Sequence, residues 1–216
     1  MNIRISKGWL AVILIVALLV IDQIIKIEVK TNMCLYESIR ITDWFYIHFI
    51  ENNGMAYGMT FVNNLVLSVF RIIAVGLISY YLYWQVRKGA RTGYVICLSM
   101  IIAGAAGNIF DSMFYGLIFN ASSPYYVSYF VPFGTGYSSV LMGKVVDMFY
   151  FPIIETTLPD WLPVWGGQPY TFFSPVFNFA DSSICVGFAL LLIFFRKELS
   201  ELSWSNLKKN ETDAEE

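Results

Sequence analysis

Four apolar runs, residues 9–27, 65–84, 94–114 and 176–195, constrain this chain more tightly than any other feature of it. Each is about the 20 residues that a helix needs to cross the hydrocarbon core of a bilayer. Only 14% of the residues are charged and 57% are hydrophobic, against roughly 25% charged in a soluble domain. Lipid offers the backbone no hydrogen-bond partners, so runs this apolar satisfy their own N–H and C=O groups as helices. The expected fold class is a membrane protein, mainly α. It would be a four-transmembrane-helix bundle with a small extracytoplasmic β-sheet and a long extracytoplasmic loop or cap. Residues 1–200 read as one integral-membrane domain, and residues 201–216, where acids crowd, as a polar cytoplasmic tail.

Orientation follows from Lys and Arg in short flanks. Arg4 and Lys7 precede the first run, and Arg87, Lys88 and Arg91 separate the second from the third. Arg196, Lys197, Lys208 and Lys209 follow the fourth. The other flanks are poorer: Lys30 and Arg40 beyond Lys26 in one loop, Lys144 alone in the other. Both termini are therefore expected in the cytoplasm and both large loops, about 36–60 and 115–175, outside. A cleaved signal peptide is not expected at the first run, because Asp22, Gln23 and Lys26 stand where a small-residue cleavage site would be. Cys34, Cys97 and Cys185 are too few and too scattered for a disulfide framework.

Residues 43–50 are aromatic and β-branched, as a strand should be, and Glu51-Asn52-Asn53-Gly54 is a turn signal. Such aromatic density suits a sheet resting at the membrane interface. His48, the one histidine, sits mid-strand with no partner cluster around it and reads as a packed residue rather than a catalyst. The second loop is too long for a plain connection. Its Tyr125, Tyr126, Tyr129, Phe130, Phe133 and Tyr137 argue against disorder.

Ionisable residues inside a span are costly and mark function by default. Asp22 and Lys26, four apart on one face of the first helix, are either a snorkelling pair that fixes the helix end or part of a site. Arg71 on the second helix either reaches the headgroups or contacts a substrate. Asn108 and Asp111 follow a small-residue stretch, residues 103–107, that lets a neighbouring helix approach closely. Asn178 and Asp181 share a face in the first turns of the fourth helix. By topology, Asp22, Arg71, Asn108, Asp111, Asn178 and Asp181 all lie at one depth near the outer ends of four helices. A shared polar pocket accounts for that economically. Asp147 adds a lone acid among the apolar residues of the second loop.

The chemistry open to such a pocket is narrow. A serine or cysteine triad would need His48 and a nucleophile elbow, which is missing. One histidine and scattered cysteines do not build a zinc site, and no glycine-rich phosphate loop is present. No metal, no cofactor and no nucleic-acid partner is expected. Carboxylates remain. Two held close cannot both ionise, so one keeps a proton while the other activates water. Asp22, Asp111, Asp147 and Asp181 all qualify for such a pair on composition and topology.

Five blocks occur in order: Asp22-Gln23-x-x-Lys26, Asn52-x-Gly54-x-Ala56-Tyr57, Gly104-Ala105-x-Gly107-Asn108-x-x-Asp111, Val145-Val146-Asp147 and Phe177-Asn178-x-Ala180-Asp181. Together they resemble the lipoprotein (type II) signal peptidases of bacteria. The resemblance implies a four-helix aspartyl endopeptidase of the inner membrane. It would remove signal peptides from prolipoproteins, cutting before a cysteine that carries diacylglycerol. It assigns Asp147 and Asp181 to the catalytic pair. Asn52, Gly54, Asn108, Asp111, Asn178, Asp22 and Lys26 fall among site-lining residues, and Arg71 is added here as a substrate contact. The expected partners are lipidated prolipoproteins and membrane lipids, with the enzyme working as a monomer.

The chain departs from the family pattern in three places. Ser112 stands where an Arg is usual, Met55 where an Ala is usual, and residues 117–142 look like an insertion. Arg71 or Lys144 is the expected source of the missing cation, and the insertion is expected to gate substrate entry. Two other classes compete. A small transporter would place polar residues at the midplane or on both sides, in paired halves. A non-catalytic scaffold would leave the match to the family at Asp147 and Asp181 without a reason.

Overall fold

The computed structural model describes residues 5–52 and 64–200, without the side chains of residues 64 and 200. Helix α1, Lys7–Asn32, opens on a cap in which the Trp9 N–H donates to Ser6 Oγ. Strands β1, Ser38–Arg40, and β2, Tyr46–Asn52, follow. Helix α2 spans Asn64–Arg87 and α3 spans Thr92–Phe110. The chain of α3 continues through a π-helical turn, Asp111–Tyr115, into the short α4, Gly116–Ile118. Strands β3, Val145–Tyr150, β4, Ile154–Thr157, β5, Pro169–Phe172, and β6, Val176–Phe177, precede α5, Phe179–Phe194, and α6, Arg196–Ser200.

Among the described residues, three helical stretches are long and apolar enough to cross a membrane: Lys7–Asn32, Leu65–Arg87 and Thr92–Ile118. The fourth apolar run differs from its expected bounds of 176–195. Its first two residues are strand, and the helix has 16 residues, starting at Phe179. The reason is local: Asn178 is the N-cap of a capping box, so the backbone cannot be helical before it. The first helix runs past its expected end at 27, to Asn32, and Val29 and Lys30 in that added turn are buried.

The helices pack around α3, which lies against α5, α1 and α2. Small residues make the closest approach possible. A Cβ on Gly104 would come within 2.2 Å of the Ala180 carbonyl oxygen on α5. One on Gly107 would come within 2.5 Å of Asp22 Oδ2 on α1.

Two apolar clusters divide the core. One joins Ala11, Leu82, Tyr94, Leu98, Leu191 and Phe195 at one end of the bundle. The other joins Val29, Met33, Phe49, Tyr115, Phe119, Val146 and Met148 at the opposite end, under the sheet. Lys7 Nζ donates to the carbonyls of Gly89 and Ala90, and Arg91 pairs with Glu198. The start of α1, the α2–α3 turn and α6 are thus tied together at one end.

The sheet is where sequence and structure part. The expectation places it in the loop at 36–60, with Asp147 supplied by the second loop. Instead both loops build one antiparallel sheet in the order β1-β2-β3-β6, and β3 lies inside it. Val145, Val146, Asp147 and Met148 are all buried. A lone apolar stretch such as 145–150 has no partner visible in sequence, so its pairing with β2 was not legible. Strands β4 and β5 form a separate hairpin. The stretch at 117–142 is folded, held by bonds such as Tyr137 N–H to Phe119 O and Ser138 N–H to Gly116 O.

Candidate active site

Between the two apolar clusters lies a layer of acids, amides and one lysine. Lys26 is fully buried, and its ammonium has three acceptors for three hydrogens: Asp22 Oδ2 at 3.0 Å, Asp111 Oδ2 at 2.7 Å and Asn108 Oδ1 at 2.9 Å. Lys26 therefore points inward rather than out of the bundle, and its expected pairing with Asp22 is present. Taking an ammonium out of water costs several kcal/mol, and only partners on every donor offset it. Asp22 Oδ1 accepts from the Ala180 N–H at 3.0 Å, which locks α1 to the first turn of α5. Gln23 Nε2 donates to Asp111 Oδ1 at 2.9 Å and to Asp22 Oδ2 at 3.1 Å. Tyr115 in turn donates to Gln23 Oε1. No buried side-chain nitrogen or oxygen among the described residues lacks a partner.

Asn178 is the joint of the site. As N-cap it accepts from the Asp181 N–H at 2.8 Å, while Asp181 Oδ2 accepts from the Asn178 N–H at 3.4 Å. Its amide nitrogen donates to Asp147 Oδ1 at 2.6 Å and to Asn108 Oδ1 at 3.1 Å. Strand register brings this about. Phe149 pairs with Phe177, so the next residue of each strand toward the site is Met148 and Asn178, beside Asp147. Asn108 Nδ2 then donates to Asp181 Oδ1 at 2.8 Å, and Asn52 Nδ2 to Asp147 Oδ2 at 3.2 Å. Asp147 and Asp181 are thus linked through Asn178 at the head of α5, which bonds both, while Asn108 of α3 joins Asn178 to Asp181.

The electrostatics of this pair follow from its surroundings. Asp147 is 1% exposed. Burial, then the charge of Asp181, push its carboxyl up to about 7, against the pull of Asn52, Asn178 and Lys26. Arg71 is half-buried on α2, and the charges of Asp181, Asp147 and Asp111 act on it in that order. Ser112, in the place of the usual arginine, donates to the Asn108 carbonyl one turn back and supplies no charge. Of the two expected replacements, Lys144 is paired with Glu51 at 3.2 Å. Of these two, Arg71 is the one on which the charges of the pair act.

Asp22, Lys26, Asn52, Asn108, Asp111, Asp147, Asn178 and Asp181 are therefore brought into one network, with Arg71 beside it. Gly54 and Met55 lie outside the described residues. Gln23 and Tyr115 belong to the network and were missed as site residues. A glutamine inside an apolar run was a signal for the first; nothing in the sequence set Tyr115 apart from the other tyrosines. His48 is half-buried against Tyr150, with Ser38 Oγ 2.5 Å from its Nδ1. It takes no part in the network.

Fold and site together define a membrane protein whose spanning helices carry a buried cluster of carboxylates and amides capped by a sheet. A family model described as signal peptidase (SPase) II matches residues 14–197. Lipoprotein signal peptidases from two strains of Porphyromonas gingivalis are each 51% identical over 200 residues, 92% of this chain and 88% of theirs. One from Amoebophilus asiaticus is 33% identical, over 91% of this chain and 81% of its own. A bacterial membrane enzyme solved by the in meso method at 2.3 Å resolution shares the fold. Its TM-score is 0.57 at 23% identity, over 90% of this chain and 92% of that one. A second, solved at 1.9 Å, has a TM-score of 0.55 at 25% identity, over 85% and 90%. The chain belongs to the signal peptidase II family and is a membrane protease.

Proposed function

We propose that this protein is an aspartyl endopeptidase that removes signal peptides from diacylglyceryl-modified prolipoproteins, with Asp147 and Asp181 as its catalytic pair. The observation that carries this reading is the linkage of those two carboxylates through Asn178 and Asn108. The family's name supplies the substrate class, and the relatives named lipoprotein signal peptidase support it.

One carboxylate of the pair takes a proton from water as the water oxygen bonds to the scissile carbonyl carbon. The other, still protonated, gives its hydrogen to the carbonyl oxygen and stabilises the charge developing there. Collapse of the tetrahedral intermediate then breaks the C–N bond: the departing amine, that of the lipidated cysteine, takes the proton the first carboxylate drew from water, and a gem-diol hydroxyl returns one to the second. The two titrate as a unit. Asn52, Asn108 and Asn178 hold the carboxylates in place, while Asp22, Gln23, Lys26 and Asp111 form the buried base beneath them. Arg71 contacts the substrate in the place of the family arginine.

The same reading has four spans, with α5 crossing as the shortest, and a single domain over residues 1–200 followed by a cytoplasmic tail. Lys7, Arg87, Lys88, Arg91 and Arg196 gather at one end of the helices, which supports cytoplasmic termini. The carboxylates then face the outer side of the inner membrane, where lipidated precursors await cleavage. The test is to give purified protein a lipidated precursor and compare Asp147→Asn and Asp181→Asn with wild type. Both variants are expected to insert and fold but not cleave; activity in either would remove it from the pair.

A further inference from the structure

The β4–β5 hairpin uses none of its side chains in the site, yet it springs directly from it. Its stem leaves β3 three residues after Asp147 and returns through β6 to Asn178. Ile154 pairs with Phe172 and Thr156 with Tyr170, so these four share one face, while Glu155 and Thr171 take the other. Among the described residues the apolar face has no partner: Ile154, Tyr170 and Phe172 are all exposed. The tip is folded by bonds such as Gly167 N–H to Leu158 O and Gly166 N–H to Leu162 O. It turns Trp161, Val164 and Trp165 outward, at 78%, 84% and 61% exposure. Val164 also has φ 74, a backbone state that a β-branched residue adopts only under strain.

A two-stranded hairpin is marginal in water by itself, and this one adds exposed tryptophans at its tip. We propose that the hairpin is an interfacial anchor, its apolar face and tip lodged in the bilayer leaflet nearest the carboxylate cluster. Three observations favour a bilayer as occupant. Aromatic rings run without a break from the sheet to the hairpin root: Trp44 on Phe151, Phe151 on Phe177, Phe173 on Phe177. The next residues begin α5, whose Val186, Phe188 and Ile193 face outward as lipid-contacting residues do. Tryptophan and tyrosine are the side chains that membrane interfaces favour. The only charges between residues 152 and 175 are Glu155 and Asp160. Attraction to anionic lipid therefore plays no part, and the insertion is apolar.

The inference rests on the membrane reading alone, and its test involves no cleavage. Full-length protein is reconstituted in phosphatidylcholine vesicles with acyl chains brominated near the headgroup, beside the variant W161F/W165F. The fluorescence lost in the variant should be the part that bromine quenches and aqueous iodide does not. Adding phosphatidylglycerol should leave it unchanged. Val164→Asp, with helix content unaltered, should open the hairpin tryptophans to iodide. If that part is quenched by iodide and untouched by bromine, the hairpin stands in water and the proposal falls. It falls equally if protection from iodide appears only at high protein-to-lipid ratio, for a second copy would then be the cover. A protein that anchors so but never cleaves a lipidated precursor would remove the catalytic reading and leave this one.

Discussion

At Asp147, burial and the charge of Asp181 set a carboxyl that titrates at about 7. Its folded value lies above its unfolded one, so the folded state holds the proton more tightly. Stability is full below the ordinary carboxylate range and is lost as pH rises from there through about 7. Cleavage follows the same direction: the pair loses its remaining proton as pH passes about 7, and the rate of precursor cleavage falls with it. A rate that stays level to well above that pH would place the essential proton elsewhere. Lys26 makes the opposite case, since its three partners leave no room for a neutral replacement. Lys26→Met strands Asp22 and Asp111 in the core and should cost about 3–5 kcal/mol, read by thermal unfolding in detergent micelles.

Residues of this kind were the most legible part of the site. An acid inside an apolar run announces itself by cost alone, and Asp22, Asp111 and Asp181 were found that way. What sequence could not supply was who touches whom. Lys26 binds Asn108 across 82 positions, and Asp147 accepts from Asn52 across 95. No periodicity reaches that far.

Among the elements, α3 sets the geometry because its glycines let α5 and α1 come close. Gly104→Ala would set a methyl against the Ala180 carbonyl, backbone that cannot give way by rotating a side chain. We expect a loss of about 1–3 kcal/mol. Activity should fall as well, because the shift draws Asp181 away from Asn108. Thermal unfolding and cleavage measured together check it; an unchanged variant would show that the helices part without consequence. Helix positions were readable from hydropathy, but helix ends were not. The α5 boundary is decided by the Asn178 cap, and α1 runs on to Asn32 with Val29 and Lys30 buried in its last turns. Strand β3 was invisible as a strand because both its neighbours come from elsewhere.

For the molecule as a whole, the cap is fastened by a second buried ion pair. Lys30 and Glu51 are both sealed from water, Ser122 bonds to each of them, and Lys144 reaches Glu51 from the edge. Rings of Phe49, Phe119 and Tyr137 surround the Lys30 ammonium. The residues at 117–142 are thus built into the core through Phe119 and Tyr137. For Glu51, burial works against ionisation, but Lys30, Ser122 and Lys144 together hold its carboxyl below the usual range. Its contribution to stability is therefore present above the unfolded carboxylate value and disappears as pH falls through the folded one. Glu51→Gln should remove that acid-side loss and weaken the cap at neutral pH, seen in unfolding temperature against pH. Asp147 and Glu51, on neighbouring strands, should thus tilt the same curve in opposite directions.

The Asp22–Lys26 pair has a consequence for how the protein is made. Translation delivers α1 before α3 exists, so Lys26 meets the membrane when neither Asn108 nor Asp111 has been synthesised. Asp22, one turn away on the same helix, is already there. The two cancel each other's charge within a single helix, and α1 can wait in lipid as a helix without net charge at that level. When α3 arrives, Lys26 keeps its first partner and gains two more, so assembly never requires a bare ammonium to cross the bilayer interior. The buried base of the site is in this sense a chaperone for its own insertion.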